Sequence, residues 1–250
     1  MNKPYKIGII GAMDVEVADL IQNLKVEKTA VKANMKFYEG KIGELDVVVV
    51  RCGIGKVNAA LCVQILADLF AITHIINTGA AGSLNPSLNI GDVLISKDVV
   101  YHDVDVRMLG YDLGQVPQLD TWSFTADAAL MNLAIQTCRD VFPNTPVTTG
   151  RVLSGDQFIC EDAVKNRLLT TFQGDCTEME GASIAHGAYL NEIPFLIIRS
   201  ISDKADGSDF MDYAEFERAA GERSAQLVIA LIKRLGSPLC SMEGFSKPKQ

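Results

Sequence analysis

Short apolar runs alternate with longer amphipathic runs along most of the chain, and this alternation constrains the fold more than any other feature of the sequence. Runs with the length and composition of buried strands occupy residues 6–10, 35–42, 46–51, 74–77, 92–100, 147–153 and 195–202. Helical periodicity fits residues 16–23, 57–70, 126–141, 163–172, 182–190 and 213–234. Strands that alternate with helices predict a mainly parallel sheet covered by helices on both faces. The second and third apolar runs are typical of an antiparallel hairpin.

Neither a repeat nor a low-complexity linker divides the 250 residues, and 48% of them are hydrophobic, which is enough for a sizeable core. We therefore predict a single α/β domain, built as a three-layer α/β/α sandwich with a mixed, mainly parallel central sheet. The domain is expected to span residues 1–236. Residues 237–250, which begin with Ser-Pro-Leu-Cys-Ser, are expected to form a flexible C-terminal tail.

The net charge of -8 and the lack of a basic run before the Lys-Pro-Lys near the C-terminus disfavour nucleic acid and anionic membranes as partners. The six cysteines form no Cys-x-x-Cys pair and the three histidines are far apart, so no metal site is predicted. Scattered thiols are typical of a reducing cytoplasm. The first apolar stretch is too short for a signal peptide, and no window approaches the ~20 apolar residues of a membrane span. We expect a cytoplasmic protein.

Two carboxylates flank a helix and a strand in the last third of the chain. Glu180 precedes the helical run 182–190, and Asp203 follows the strand run 195–202. A helix of roughly ten residues descends ~15 Å and a strand of roughly six residues climbs back ~20 Å, so both side chains return to one rim of the sheet. Open α/β sheets bind small molecules at the carboxyl ends of their strands. The pair therefore indicates a site that binds a cation or breaks a polar bond.

Glycine-rich segments at residues 8–13, 53–58 and 78–83 allow tight turns and close approach of a ligand, and we interpret the last of them as a turn at the sheet rim. None completes the dinucleotide fingerprint or contains the Gly-Lys-Ser/Thr of a P-loop. This disfavours a dinucleotide-dependent oxidoreductase and nucleoside triphosphate hydrolysis. Glu16 occupies the first helical turn after the first segment, where a bound phosphate would sit. It either activates a water or only stabilises the helix N-terminus.

Other residues near the predicted rim fit either the core or a ligand site. Phe158 follows a strand run and could stack on a planar base, although such a residue more often belongs to the core. Met13 and Met179 leave the same choice open. We assign a structural or interface role to segment 101–105, because side chains alternate between faces in an extended run. Arg199 is expected to pair with a buried carboxylate.

Seven segments resemble, in order, those of 5′-methylthioadenosine/S-adenosylhomocysteine nucleosidases, which belong to the nucleoside phosphorylase-like superfamily. The segments lie at residues 8–17, 53–60, 77–82, 101–106, 154–159, 178–180 and 201–203. Each motif is modest, but seven in register are highly specific. The resemblance implies hydrolysis of the N-glycosidic bond of 5′-methylthioadenosine and S-adenosylhomocysteine in methionine salvage. The expected products are adenine and a thioribose, and no cofactor is implied.

The resemblance also implies roles for individual positions. Glu16 is similar to the residue that activates the attacking water, and Asp203 to the acid that protonates N7 of adenine. Glu180, together with the Met179 backbone, matches the group that binds the ribose hydroxyls. Further substrate-binding positions implied on the same chain are Met13, Ala80, Phe158, Ile159, Glu178, Arg199 and Tyr213.

Within that set, Phe158 is implied to stack on the base, while the Ile159 backbone reads its edge. Family members are homodimers in which the neighbouring subunit closes the 5′-alkylthio pocket, so the same is expected here. The positions that match the partner's contribution are Val106, Leu109 and Pro117.

Three positions depart from residues that are common in the family. Ala80 replaces a serine that supports the catalytic aspartate, here Asp203. Leu109 replaces an aromatic residue, and Gln157 replaces a small residue beside Phe158. These departures leave the chemistry in place and leave open the preference among 5′ substituents.

Cleavage of an N-glycosidic bond gives the ribose oxocarbenium character and the adenine negative charge. Carboxylates stabilise the first, and a proton delivered to the base neutralises the second. An ordinary aspartate has a pKa of ~3.9 and is ionised at neutral pH. Desolvation or acidic neighbours must therefore raise the pKa of Asp203 if it acts as the acid.

Three alternative functions fit the same fold. A purine nucleoside phosphorylase would place arginines around its phosphate, whereas the first loop here carries Glu16. A nucleosidase for aminodeoxyfutalosine stays open, because several family members accept both substrates. A catalytically silent nucleoside-binding protein is disfavoured by the presence of Glu16, Glu180 and Asp203.

Overall fold

The predicted alternation of strands and helices is present in the computed structural model, which describes residues 5–206 and 213–237. The strands are β1 (Lys6–Gly11), β2 (Lys25–Lys32), β3 (Met35–Ile42), β4 (Leu45–Arg51), β5 (His74–Ser83), β6 (Val93–Tyr101), β7 (Phe124–Thr125), β8 (Val147–Ser154), β9 (Cys176–Glu178) and β10 (Phe195–Asp203). The helices are α1 (Asp14–Gln22), α2 (Lys56–Phe70), α3 (Ala128–Val141), α4 (Asp162–Phe172), α5 (Gly181–Leu190) and α6 (Tyr213–Leu235), and a short 3-10 helix spans Arg107–Leu109.

One mixed sheet contains these strands in the order β10-β6-β8-β9-β5-β1-β4-β3-β2, with β7 paired to β6. Parallel pairing joins β1 to β4 and β5, β5 to β10, and β8 to β6 and β9. The predicted hairpin is the antiparallel pair β3–β4, which β2 extends. Because β10 pairs with both β5 and β6, the strands β5, β10, β6, β8 and β9 close a ring. Pairing across this ring brings Gly82, Thr177 and Asp203 together at one rim.

Helices cover both faces of the sheet. On one face α6 packs against α1 and α3, and on the other α2 packs against α5. Strands between the two layers are buried from both sides, which explains why they read as continuous apolar runs rather than as an alternating pattern. Residues 47–50, for example, are four fully buried valines, and burial of each stabilises the fold by up to roughly 1.5–3 kcal/mol. The predicted single-domain α/β/α sandwich with a mixed sheet is confirmed.

The glycine-rich segment 78–83 is not the predicted turn, because β5 continues through it to Ser83. Its glycines permit close packing instead of a chain reversal. A Cβ on Gly79 would overlap the Glu16 carboxylate, and a Cβ on Gly82 would lie 2.7 Å from Asp203 Oδ1. The extended backbone without side chains leaves the space that these two carboxylates occupy.

Three strands have no counterpart among the predicted runs. β2 is an edge strand with mostly exposed side chains on both faces, so it lacks the apolar pattern that marks a strand. Its lysines at positions 25, 28 and 32 disfavour pairing of this edge with another chain. β7 has two residues and β9 has three, which is too short for a periodic pattern.

The last helix agrees with its predicted range, since α6 begins at Tyr213 and ends at Leu235. The predicted flexible tail, residues 237–250, lies outside the described residues except for Ser237. No helix of the described residues has both the length and the apolar character needed to cross a membrane.

Candidate active site

A cavity of about 120 Å³ opens where the rim formed by β5, β9 and β10 meets the N-termini of α1 and α5. A smaller void of about 30 Å³ adjoins it and shares the side chains of Phe158, Glu178 and Asp203. A larger groove of about 630 Å³ lies at the other end of β10. The carboxylate of Asp127 in that groove caps α3 by accepting a hydrogen bond from the backbone N of Leu130. Convergent polar groups are found in the first cavity, which is therefore the candidate site.

Glu16 lies in the first turn of α1, and its carboxylate lines the cavity. Oε2 accepts hydrogen bonds from the backbone N of Ala12 at 2.6 Å and of Met13 at 3.0 Å, and Oε1 accepts one from the backbone N of Ala80 at 3.0 Å. Burial raises the pKa of Glu16, whereas the Arg199 guanidinium and the three amides act in the opposite direction. The carboxylate is therefore fixed in orientation, and it is a stronger base than an exposed glutamate.

Arg199 of β10 is almost fully buried behind the cavity wall. Its guanidinium pairs with the carboxylate of Glu178 and donates a hydrogen bond to Oδ1 of Asn77. Glu178 also accepts hydrogen bonds from the hydroxyl of Ser154 and from the backbone N of Gly181, the latter at 2.7 Å. The expected pairing of Arg199 with a buried carboxylate is confirmed. Arg199 is not one of the residues that line the cavity; it acts on Glu178 by direct contact and on Glu16 through its charge.

Glu180 lines the cavity beside Met179, at the N-terminus of α5. Its Oε1 accepts a hydrogen bond from the backbone N of Gly55 at 2.7 Å. Gly55 has a φ of 97°, a conformation that favours glycine at this position. Burial, together with the charge of Glu178, raises the pKa of Glu180 to about 8. This carboxyl group therefore holds its proton more tightly than an exposed glutamate does.

Asp203 ends β10 and is only 9% exposed. Oδ2 accepts a hydrogen bond from Oγ of Ser202 and Oδ1 accepts one from the backbone N of Ala205, each at 2.8 Å. These two hydrogen bonds fix the carboxyl group at the cavity wall. The raised pKa that an acid role requires of Asp203 stays a prediction.

The loop after β8 supplies the apolar side of the site. Phe158 lines both the cavity and the adjoining void and is 49% exposed, so its ring is not a core residue. Ile159 is buried against Leu153 and also lines the void. Met13 and Met179 are half-buried on the cavity wall. Phe158, Met13 and Met179 are thus on the cavity wall, and their contact with a ligand stays a prediction.

Asp103, in the Tyr-His-Asp segment that starts at the last residue of β6, forms two hydrogen bonds that link neighbouring loops. Oδ2 of Asp103 accepts hydrogen bonds from Nζ of Lys56 at 2.6 Å and from the backbone N of Asp156 at 3.0 Å. The Asp156 carboxylate in turn accepts one from the backbone N of Lys56 at 2.9 Å. These bonds join the loop after β8 to the N-terminus of α2. The positions of Phe158 and Gly55 are therefore fixed relative to each other.

Comparison with known proteins identifies the family. The model of the phosphorylase superfamily matches residues 6–233. A relative from Halalkalibacterium halodurans, named 5′-methylthioadenosine/S-adenosylhomocysteine nucleosidase, is 43% identical over 232 residues, which are 92% of this chain and 99% of the relative. This chain belongs to the 5′-methylthioadenosine/S-adenosylhomocysteine nucleosidase family. The resemblance carried by the seven sequence segments is thereby confirmed.

Solved structures agree with this assignment. The crystal structure of the Neisseria meningitidis 5′-methylthioadenosine/S-adenosylhomocysteine nucleosidase in complex with methylthio-immucillin-A has a TM-score of 0.88 at 36% identity and covers 91% of this chain and 98% of that chain. The structure of a futalosine hydrolase from Helicobacter pylori has a TM-score of 0.87 at 29% identity and covers 92% and 98%. The predicted nucleoside phosphorylase-like fold is confirmed.

Most residues implied by the family resemblance come together at the site. Those that line the cavity are Met13, Glu16, Ala80, Phe158, Glu178, Met179, Glu180 and Asp203. Tyr213 is the first residue of α6, and its side chain lies outside the described part of the chain. Val106, Leu109 and Pro117 are not among the residues that line the cavity of their own chain. Their implied contribution to a partner subunit stays a prediction.

The absence of a hydroxyl at Ala80 does not leave the carboxyl group of Asp203 without one. Oγ of Ser202 donates a hydrogen bond to Oδ2 of Asp203 at 2.8 Å. Ala80 contributes its backbone N instead, which donates to Glu16. The departure at position 80 is therefore compatible with both candidate catalytic groups.

Sequence reasoning gave no role to two further groups at the site, the backbone N of Gly55 and the side chain of Glu217. A backbone donor has no sequence signal beyond the glycine itself. Glu217 lies in the amphipathic helix α6, where a charged residue is usually assigned to the solvated face. Its spacing of seven residues from the buried Ser224 is the signal that could have placed it on the inner face.

Proposed function

We propose that this chain hydrolyses the N-glycosidic bond of 5′-methylthioadenosine and S-adenosylhomocysteine, releasing adenine and the corresponding thioribose. Glu16 takes a proton from the attacking water, and Asp203 delivers a proton to N7 of the adenine. Glu180 binds the ribose hydroxyls, and Phe158 stacks on the base. Support comes from the residues that converge in the cavity and from relatives of this name that match nearly the whole chain.

The observation that carries the proposal is the charge of the cavity wall. Among the lining residues that the structure describes there are five carboxylates and no lysine, arginine or histidine. The carboxylates belong to Glu16, Glu178, Glu180, Asp203 and Glu217. The wall offers a phosphate anion no cation, since Arg199 lies behind it and is paired with Glu178, whereas a neutral water needs none. The ionised carboxylate of Glu16 stabilises positive charge on the ribose, so water is favoured over phosphate as the nucleophile.

In the proposed reaction the oxygen of a water forms a bond to C1′ while the bond between C1′ and N9 of adenine breaks. The water gives one proton to Glu16, and the bonding electrons leave with the base. The proton that Asp203 places on N7 neutralises the adenine. The proton held by Glu16 returns through solvent to Asp203, which balances the reaction as consumption of one water.

Adenine release from 5′-methylthioadenosine, measured with and without inorganic phosphate, tests the proposal. We expect equal rates in both conditions and free methylthioribose as the product, because the cavity wall offers a phosphate no cation. A purine nucleoside phosphorylase assayed in parallel provides the control for phosphate dependence. Release that requires phosphate would identify a phosphorylase and remove the role of Glu16. Failure to cleave either substrate would reject the proposed function.

A second substrate class, aminodeoxyfutalosine, is supported by the similarity to the Helicobacter pylori futalosine hydrolase. The chemistry at the ribose and the base would be unchanged, since the substrates differ at the 5′ substituent. Competition between the two classes in one assay would rank them.

The proposal includes a homodimer. Exposed apolar side chains lie on the N-terminal part of α2, just before it and in the 3-10 helix; they are Ile54, Val57, Leu61, Met108 and Leu109, and Ile54 also lines the cavity. The hydrogen bond between Lys56 and Asp103 ties these two segments together. A patch of this kind favours a protein interface, and a second copy would bury it and close the site.

Replacing Leu109 by aspartate is expected to weaken the dimer, because a charge would be buried in the proposed interface. Sedimentation equilibrium at micromolar concentrations should show monomer, and the KM for 5′-methylthioadenosine should rise by at least about tenfold. Val31→Asp provides the matched control, because Val31 is an exposed apolar residue on the edge strand β2. A wild-type protein that is monomeric at these concentrations would contradict the proposed dimer.

The catalytic unit in this proposal corresponds to residues 1–236, and its location is the cytoplasm. Four cysteines of the described part, Cys52, Cys62, Cys138 and Cys176, are buried free thiols. Free thiols of this kind are typical of proteins from a reducing compartment.

A further inference from the structure

Glu217 lines the cavity, yet the proposed reaction gives it no role. The carboxylate is on α6, four residues after the start of that helix. Among residues 5–206 and 213–237, no lysine or arginine forms an ion pair with it; the neighbouring Arg218 pairs with Glu222 at 3.8 Å. A positively charged group of a ligand can therefore pair with this half-buried carboxylate.

The inner face of α6 explains why this side chain reaches the site. Glu217, Gly221 and Ser224 are spaced by four and three residues and so share one face of the helix. Oγ of Ser224 contacts Oγ1 of Thr78 and accepts a hydrogen bond from the backbone N of Gly79. A Cβ on Gly221 would lie 3.3 Å from the side chain of Val15, at the first turn of α1. One turn before this contact, Glu217 lies above the N-terminus of α1.

The cavity has two distinguishable ends. Phe158 and Asp203 line both the cavity and the adjoining void, which marks the end proposed for adenine. Met13, Ile54 and Glu217 line only the cavity, as do Glu16 and Glu180, so all five lie away from that void. With the ribose beside Glu16 and Glu180, the second end receives the 5′ substituent.

We propose that Glu217 recognises the ammonium group of an amino-acid 5′ substituent, and so favours S-adenosylhomocysteine over nucleosides with uncharged 5′ groups. The inference rests on the proposed function, because it assigns the second end of the cavity to the 5′ substituent. A carboxylate attracts an ammonium group and repels a free carboxylate. The half-buried position strengthens both effects relative to open solvent. Met13 and Ile54 pack against the thioether of either substrate through apolar contacts.

Glu217→Gln tests this assignment, because the amide keeps the size of the side chain and removes its charge. The ratio of kcat/KM for S-adenosylhomocysteine to that for 5′-methylthioadenosine should fall by about two- to fivefold, the effect of a partly screened ion pair. The change should lie in KM, and added salt should reduce the ratio in the wild type and not in the variant. A thioether analogue with a terminal carboxylate and no ammonium should become a better substrate of the variant.

Glu215→Gln is the matched control, since Glu215 is exposed on the same helix and is not a lining residue. It should leave the ratio unchanged. An unchanged ratio in Glu217→Gln, or an equal loss for both substrates, would overturn the assignment to the ammonium group. Cleavage of the two nucleosides by the wild type distinguishes this result from failure of the proposed function. If the wild type cleaves both nucleosides, only the role of Glu217 is at stake.

Discussion

Replacing Asp203 by asparagine is expected to lower kcat by about 10²–10⁴-fold, the usual contribution of a general acid. The amide keeps the shape of the side chain and can still accept the hydrogen bond from Ala205 and interact with Ser202. It cannot deliver a proton to N7 of adenine. Single-turnover adenine release measures the loss, and calorimetric titration with 5′-methylthioadenosine should show that binding persists.

Asp206→Asn is a suitable control for this variant. Asp206 lies three residues further along, pairs with Lys165 at 3.1 Å and does not line the cavity. Its replacement should leave kcat near the wild-type value. A near-normal kcat in Asp203→Asn would show that another group supplies the proton, and the assignment of the acid would have to be withdrawn.

Glu16→Gln is expected to lower kcat by a similar factor, about 10²–10⁴-fold, because the amide cannot take a proton from water. It should also destabilise the protein. The carboxylate accepts from three backbone N–H groups on its two oxygens, and an amide nitrogen cannot accept any of them. At least one buried donor then loses its partner, which costs about 1–3 kcal/mol of unfolding free energy. Urea unfolding measures this second effect separately from turnover.

The pH dependence of the wild type provides a second measurement of the role of Glu16. A general base works only when it is ionised, so the rate falls as the pH decreases through the pKa of Glu16. Burial raises this pKa above its ordinary value of 4.5, and the loss of activity should therefore begin at a higher pH than for an exposed glutamate. The residual activity of Glu16→Gln should lack this dependence. An identical acid limb in both proteins would assign the titration to another group.

The architecture was largely predictable, because strands buried from both sides leave continuous apolar runs and helices leave a 3.6-residue period. What failed was the interpretation of segment 78–83, where glycines usually signal a turn. They are needed here because Glu16 and Asp203 occupy the space that side chains at Gly79 and Gly82 would fill. That requirement is set by residues more than 60 positions away in one case and about 120 in the other. A local pattern cannot contain it.

Only part of the candidate site was predictable from the sequence, and the reason differs from residue to residue. The spacing of Glu180 and Asp203 places both on one rim from local geometry alone, and the cavity contains both. The interaction of Arg199 with Glu178 was expected in kind, since a buried guanidinium needs a partner. The position of Glu217 follows from the packing of α6 against α1, which periodicity does not determine. The roles of these residues at the reacting atoms depend on a bound ligand, and the proposed experiments test them.

Three buried carboxylates, Glu16, Glu178 and Glu180, lie close to one buried cation, Arg199. Burial, and after it the charge of Glu178, raises the pKa of Glu180, so this carboxyl group holds its proton to a higher pH than an exposed glutamate does. If the ribose hydroxyls donate to Glu180, the bound nucleoside favours the ionised form, so capture of the ligand expels that proton. The affinity for the nucleoside then depends on the pH of the medium. Such a site would sense the pH of its surroundings through the act of binding itself.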